Sequence, residues 1–502
     1  MLFTEPIFLF LFLPLLLSLH FLPGLATRGA AGRAHARYAN WLLLVGSIVF
    51  YARGGGTFTW LILASIAFNY QMAILVAGAR TPARAKRRLV VAVGVNLAVL
   101  AVFKYANFIA DNTNALLAQA QMGPLAVPRV LLPIGISFFT FHAISYVVDV
   151  YRGDASAQKS PVHAALYLLL FPQLIAGPII RYREIADQLA RRVVTLDDFA
   201  AGVRRFVFGL GKKVLVANTV AVPADQIFAM PPAQLSAMHA WLGLVCYTLQ
   251  IYFDFSGYSD MALGLGRMFG FRFPENFRWP YISETVQEFW RRWHISLSAW
   301  FRDYLYVPLG GNRVAMPRIY LNLFVVFFLC GLWHGAAWSF VVWGLFHGAF
   351  LVVERIGLAP LVRRLWRPLR HAYLLLVVMV GWVLFRADTL AGALAYLRAM
   401  AGFGLAEPTP YLVGWYLTPE LWIALAAGVI GSMPIGPWFA ALRASMAHRM
   451  SEAASDSGGE SISRIAGPVL AFGGVVSVAV VLFASIVQIA GRTYNPFIYF
   501  RF

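Results

Sequence analysis

The sequence predicts an all-α protein that crosses a membrane many times, and three observations carry that prediction. Of 502 residues, 60% are hydrophobic and only 13% are charged, against about 25% charged in ordinary soluble domains. Runs at 5–25, 57–78, 89–103, 319–353 and 467–490 hold few or no formal charges. A helix of about 20 such residues spans a hydrocarbon core about 30 Å thick. The basic residues gather between these runs.

Their placement predicts topology. The loop at 26–39 carries Arg28, Arg33 and Arg37, and the loop at 79–88 carries Arg80, Arg84, Lys86, Arg87 and Arg88, without an acid in either. Gly54–Gly56 between them is uncharged, and 111–128 has Asp111 but no base. Cytoplasmic loops collect Lys and Arg, so the N-terminus is expected outside. Continuing the alternation puts 181–192, 204–213, 267–278, 291–318 and 363–370 inside, and 223–240 and 387–414 outside. About 11–13 membrane helices result, with 163–180 as a re-entrant piece. Residues 1–502 then form one membrane domain of a bacterial inner membrane, with a flexible polar loop at 451–463 and an extracytoplasmic tail at 491–502.

The net charge of +19 is a topology signal and excludes nothing about lipids, the expected partner. It does not predict nucleic-acid binding, because no basic soluble domain is present. Cys246 and Cys330 lie in apolar segments, with neither a disulfide framework nor metal-ligand spacing. The first run lacks a positive n-region, carries Glu5, and reads as a retained helix.

The stretch "RRWHISLSAWFRDYLYVPLGGNR" (291–313) concentrates charge and aromatic rings. If 287–305 is one helix, Arg291, His294, Ser298 and Arg302 share a face at 3-4-4 spacing. Trp290, Trp293, Leu297, Phe301 and Tyr304 form an adjoining apolar stripe. Residues 287–313 therefore read as an amphipathic interfacial helix and turn; serving as a membrane anchor would account for the arginines and tryptophans equally well.

Residues 319–353 are uncharged, too long for one upright span and short for two, so a hairpin turning near Gly335–Ala337 is expected. His334 falls at that bend. A histidine so deep needs a partner or a wet cavity, or it only packs helices, the reading preferred for His347. Further polar groups, Gln250, Asp254, Ser256 and Asp260, interrupt an apolar run and are followed by Gly257, Gly264, Gly266 and Gly270. They predict a broken or re-entrant helix lining a cavity. Intramembrane carboxylates suit a substrate path or a proton relay, so a transporter stands beside an enzyme.

"QEFWRRWHISLSAWFRDYLYVPLGGNR" (287–313) and "GLWHGAAWSFVVWGLFHG" (331–348) resemble the membrane-bound O-acyltransferases. The similarity is to the bacterial branch containing alginate O-acetyltransferases and teichoic-acid D-alanyl transfer proteins. "LPIGISFFTFHAISYVVDVYRG" (132–153), "FPQLIAGPIIRY" (171–182), "DFSGYSDMALGLGRMFGF" (254–271), "GWVLFRA" (381–387) and the terminal "NPFIYFRF" extend the match. His142 departs from it, standing where the family pattern has glutamine.

The resemblance implies tilted helices around a transmembrane tunnel, with His334 at the catalytic position and His294 at the second signature position. It implies acyl transfer to a hydroxyl, with no permanently bound cofactor and no metal. The expected donor is acetyl-coenzyme A, its phosphates met by Arg291, Arg292, Arg302 and Arg313, although topology alone explains those arginines. The acceptor polysaccharide, such as alginate or cellulose, lies outside, so the acyl group must change carriers. Tyr499 in the tail offers a phenol, and a periplasmic acetyltransferase resembling SGNH hydrolases is the expected receiving partner. An interfacial aromatic anchor is the competing reading of Tyr499. D-alanyl transfer, acetyl transfer for peptidoglycan, and a polysaccharide flippase remain alternatives.

Overall fold

A computed structural model describes residues 1–26, 32–404, 407–409, 411–436, 438, 441, 445, 460–492 and 494–498. Among them the secondary structure is helical, without strands. The chain begins with α1 (Leu13–Ala26), α2 (Gly32–Gly55), α3 (Phe58–Ala77) and α4 (Pro82–Gln119). Thr81 starts α4 by accepting the Arg84 N–H at 3.3 Å, with proline in the first turn, where no backbone donor is needed. Seven described helices are long and apolar enough to cross a membrane: Phe58–Ala77, Pro82–Gln119, Leu196–Phe228, Met316–His334, Trp338–Arg364, Arg367–Arg386 and Phe472–Gly491. Three shorter apolar helices, Phe8–Leu22, Leu390–Met400 and Pro419–Gly431, accompany them. The last span presents Phe472, Val480 and Phe483 outward, as a lipid-facing helix must.

After α5 (Ile136–Arg152), residues 163–180 turn back within the protein. They form α6 (Pro161–Leu169), the single turn α7 (Phe171–Leu174) and an extended stretch before α8 (Tyr182–Ala190). Non-helical backbone at this depth needs partners from protein. The Ile179 N–H donates to Ser296 Oγ at 2.9 Å, the Ile180 N–H to His142 Nε2 at 3.2 Å, and Tyr167 OH to the Ile180 carbonyl at 2.9 Å. His142, the departure from the family pattern, thus serves as an acceptor for buried non-helical backbone.

α9 (Leu196–Gly211) continues through a π-helical turn into α10 (Asn218–Phe228) and packs on α11 (Ala237–Met268). The expectation of a broken or re-entrant helix at 247–260 is wrong. α11 runs unbroken for 32 residues, and its glycines serve contact instead. A Cβ on Gly264 would fall 2.6 Å from the Gly202 carbonyl oxygen, and one on Gly257 2.8 Å from that of Gly209. Two glycine pairs therefore let α9 and α11 touch backbone to backbone, as small residues do where helices meet in a bilayer.

The single helix expected over 287–305 is also wrong. α12 (Val286–Arg292) ends, His294 takes a left-handed backbone (φ 44°), and α13 (Ile295–Phe301) follows. Trp290, Trp293, His294, Leu297, Trp300 and Phe301 are all buried, so the aromatic stripe packs against the rest of the protein. Trp300 stacks flat on Phe141 of α5 at 3.7 Å and donates its Nε1–H to the Phe141 carbonyl at 3.1 Å.

The hairpin at 319–353 forms where expected: α14 (Met316–His334), a bend at 335–337, and α15 (Trp338–Val353). Gly331 and Gly344 make it tight, since a Cβ on either would fall 2.3 or 2.2 Å from a carbonyl of the facing helix. α16 (Ala359–Arg364), α17 (Arg367–Arg386), α18 (Leu390–Met400), α19 (Pro419–Gly431) and α20 (Glu460–Gly491) complete the fold. Of the expected loop at 451–463, residues 451–459 lie outside the described residues, and 460–463 already belong to α20.

These helices give the bundle two distinct ends. α14 and α17 begin, and α15 is followed, near Arg318, Arg355, Arg364, Arg367 and Arg370. The opposite end holds the bend at 335–337, Ala387–Asp388 and the C-terminal tail. The N-terminus belongs there too, because Asn495 Nδ2 donates to Thr4 Oγ1 at 2.8 Å.

Candidate active site

His334 is the last residue of α14, 7% exposed, and its ring is framed edge-on by Trp333, Trp343 and Phe385 at 4.9, 5.0 and 5.2 Å. It stands between two cavities. One, of about 160 Å³, is bordered by Pro133–Phe138, Lys104 and Ile175. The other, about 20 Å³, lies between His334, Trp293, Trp343, Trp382, Phe255 and Ile498, room for roughly one water-sized group. Phe385 and Ile498 also border a third cavity of about 440 Å³ that includes Gln250, Asp225, Arg386 and Asp388. The three hollows follow one another past the imidazole.

His294 also neighbours the Trp333 ring, 6.3 Å from it between centroids, and packs edge-on against Phe255 at 4.6 Å. Asn276 holds the strained turn. Its Oδ1 accepts from Ser296 N at 3.2 Å and Ser296 Oγ at 2.9 Å and lies 3.2 Å from His294 Nδ1, while its carbonyl accepts the Ile295 N–H at 2.9 Å. His347 is fully buried beside Trp290 and Trp343, with no hydrogen-bond partner for either ring nitrogen among the described residues. It borders none of these three cavities.

The tail enters the third cavity and is tied down there. Buried Asp254 and Lys213 pair at 2.5 Å. Asp254 Oδ2 accepts the Ile498 N–H at 2.9 Å, and Lys213 Nζ donates to the Pro496 carbonyl. Asn218 bonds Asn495 at 3.0 Å, and Asp225 accepts from both Tyr494 and Arg386. Tyr499, the next residue after Ile498, lies outside the described residues.

The remaining expected site residues divide. Gln250 borders the third cavity, Asp254 holds the tail, and Ser256 is buried without bordering these cavities. Asp260 borders none of these three cavities and belongs to an ion network, meeting Arg205 at 2.8 Å and Lys212 at 2.6 Å. One carboxylate is thus committed to that network and the other to the tail. Arg292 is engaged by Glu288 at 2.8 Å and the Arg278 carbonyl at 3.1 Å, and Arg302 by Asp303 at 2.7 Å. Arg291 and Arg313 are exposed. No group of three or more His, Cys, Asp or Glu that could hold a metal occurs among the described residues.

Comparison with known proteins identifies the family. The profile of the membrane-bound O-acyltransferase family matches residues 130–388, the segment that contains His294 and His334. The chain belongs to the membrane-bound O-acyltransferase family. It is 43% identical to a probable alginate O-acetylase of Azotobacter vinelandii over the full length of both chains. It is 48% identical to one of Pseudomonas putida over 80% of this chain and 81% of that one. It is 36% identical to a peptidoglycan O-acetyltransferase of Helicobacter pylori over 80% of each. The protein is a multi-pass membrane O-acyltransferase.

Three groups at this acyltransferase site escape sequence reading: Asn276, Lys213 and Lys104. Lys104 left one signal, as the single charge between Arg88 and Asp111. The others look like ordinary loop and basic-cluster residues until the fold brings their partners to them.

Proposed function

We propose that this protein carries acetyl groups from a cytoplasmic thioester, acetyl-coenzyme A, to its own Tyr499, from which a periplasmic acetyltransferase esterifies a secreted polysaccharide. One observation carries the reading: Ile498, the residue preceding Tyr499, borders the same small cavity as His334. His334 accepts the phenolic proton, and the phenolate attacks the thioester carbonyl. Collapse of the tetrahedral intermediate expels the thiolate, which takes the proton back from the imidazolium. General-base help of this kind is worth typically 10²–10⁴ in rate.

The energetics run downhill. A phenol with pKa about 10 is a better leaving group than a sugar hydroxyl and a poorer one than a thiol is to its thioester, so the tyrosyl ester sits between donor and product. The arginine-rich end of the bundle suits the cytoplasmic face. That orientation puts both termini outside, where the polymer is, and fits a bacterial inner membrane. Exposed Arg291 and Arg313 are the arginines left open to donor phosphates. The relatives named as alginate O-acetylases favour alginate as the polymer over peptidoglycan.

Replacing Tyr499 with Phe tests the relay. Polymer acetylation is expected to disappear while the protein accumulates normally in the membrane. Unchanged acetylation would exclude Tyr499 as carrier.

A further inference from the structure

We propose that Lys104 and Tyr105 are positioning residues that fix His334 by capping the end of the helix that carries it; the catalytic part of this inference rests on the reading of His334 as base. The final carbonyls of any helix lack intrahelical donors, and α14 ends inside the protein, where water does not satisfy them freely. The Gly335 N–H closes back on the Gly331 carbonyl at 3.2 Å, and Gly335 itself is extended. The carbonyls of Leu332, Trp333 and His334 remain. Two successive residues of α4 take all three. Tyr105 OH donates to the Leu332 carbonyl at 2.7 Å, and Lys104 Nζ donates to those of Trp333 and, at 3.4 Å, His334. Ser137 Oγ, at 3.2 Å, receives the third ammonium proton.

An ammonium here is costly, and packing alone would be served better by methionine. Lys104 is 9% exposed, pairs with no carboxylate among the described residues, and borders the 160 Å³ cavity together with His334. Its acceptors are the carbonyls at the negative end of the α14 dipole, where a cation is stabilising. Without this cap, the terminal residue of a helix frays. The imidazole attached to it would then sample positions outside the narrow gap between the cavities.

The test uses full-length protein in lipid vesicles with labelled acetyl-coenzyme A, reading the single-turnover rate of label transfer at saturating donor. Lys104→Met is expected to slow transfer about 100-fold, the cost of misplacing a catalytic group by about 1 Å. The half-saturating donor concentration should stay within roughly twofold, and Lys104→Arg should restore most of the rate. Tyr105→Phe, which deletes one hydrogen bond and leaves the fold intact, should slow transfer roughly 5- to 10-fold; it carries the test should Lys104→Met fail to accumulate. Wild-type rates in these variants, with His334→Ala inactive, would overturn the positioning role. Hydrogen exchange at 331–337 reads the cap independently of activity. Faster exchange in Lys104→Met but not Lys104→Arg sustains it even if His334→Ala proves active, which would sink only the base assignment. Unchanged exchange would overturn the cap.

Discussion

His334 and Ile498 border one cavity, although one ends a helix in the middle of the chain and the other lies in its C-terminal tail. The fold thereby brings the C-terminal tail to the histidine proposed above as the base for acyl transfer. Deleting the imidazole separates chemistry from architecture. His334→Ala should reduce transfer by about 10²–10⁴ while the protein still assembles in the membrane, as judged by its elution in detergent. Full activity in that variant would remove His334 from the chemistry.

The tail latch makes a second prediction. Lys213→Met leaves the Asp254 carboxylate buried without its cation, a change that typically costs about 3–5 kcal/mol. Thermal unfolding in detergent should show the loss. Adding Asp254→Asn should recover part of it, because asparagine removes the stranded charge and still accepts the Ile498 N–H. Transfer should fall in the single variant as the tail loosens. A Lys213→Met protein that melts and transfers like the parent would contradict the latch.

How much of this was legible in advance depended on range. The hairpin was readable because a charge-free run of the wrong length for one span has few solutions, and its bend fell on His334. The turn at His294 was not, because 3-4-4 spacing sees only neighbours. The left-handed backbone there is held by Asn276, whose oxygens bind Ile295 and Ser296 from another segment. The α11 glycines misled for the same reason: glycine in isolation signals a break, and only Gly202 and Gly209 on α9 turn it into a contact. Lys213 was counted as topology charge, since nothing local distinguishes it from Lys212.

Tight hairpin packing can be challenged directly. Gly344→Ala would set a methyl 2.2 Å from the Phe327 carbonyl oxygen and should destabilise the protein by about 1–3 kcal/mol. Gly94→Ala, with open space around its Cβ, is the control and should be neutral or stabilising by up to roughly 1 kcal/mol. Equal melting temperatures for the two variants would refute the close α14–α15 approach.

Acid should weaken the anchor beside α13. Burial opposes the Asp303 charge, but the hydrogen bond and charge of Arg302, together with Arg181 and Arg183, outweigh it and hold the carboxyl below its usual range. A lowered folded-state value means stability present above the unfolded value, about 3.9, and lost as pH falls through the folded one. Asp303→Asn should therefore melt below the parent at pH 7, with the gap closing progressively under pH 4. A gap independent of pH would show that the carboxylate charge contributes nothing.

The most direct measurement is mass spectrometry of the C-terminal peptide after vesicles containing the protein are given isotope-labelled acetyl-coenzyme A and no acceptor. The account predicts a labelled acetyl ester on Tyr499 in the parent and none in His334→Ala. An unlabelled tail in a preparation that nonetheless acetylates added polymer would contradict it.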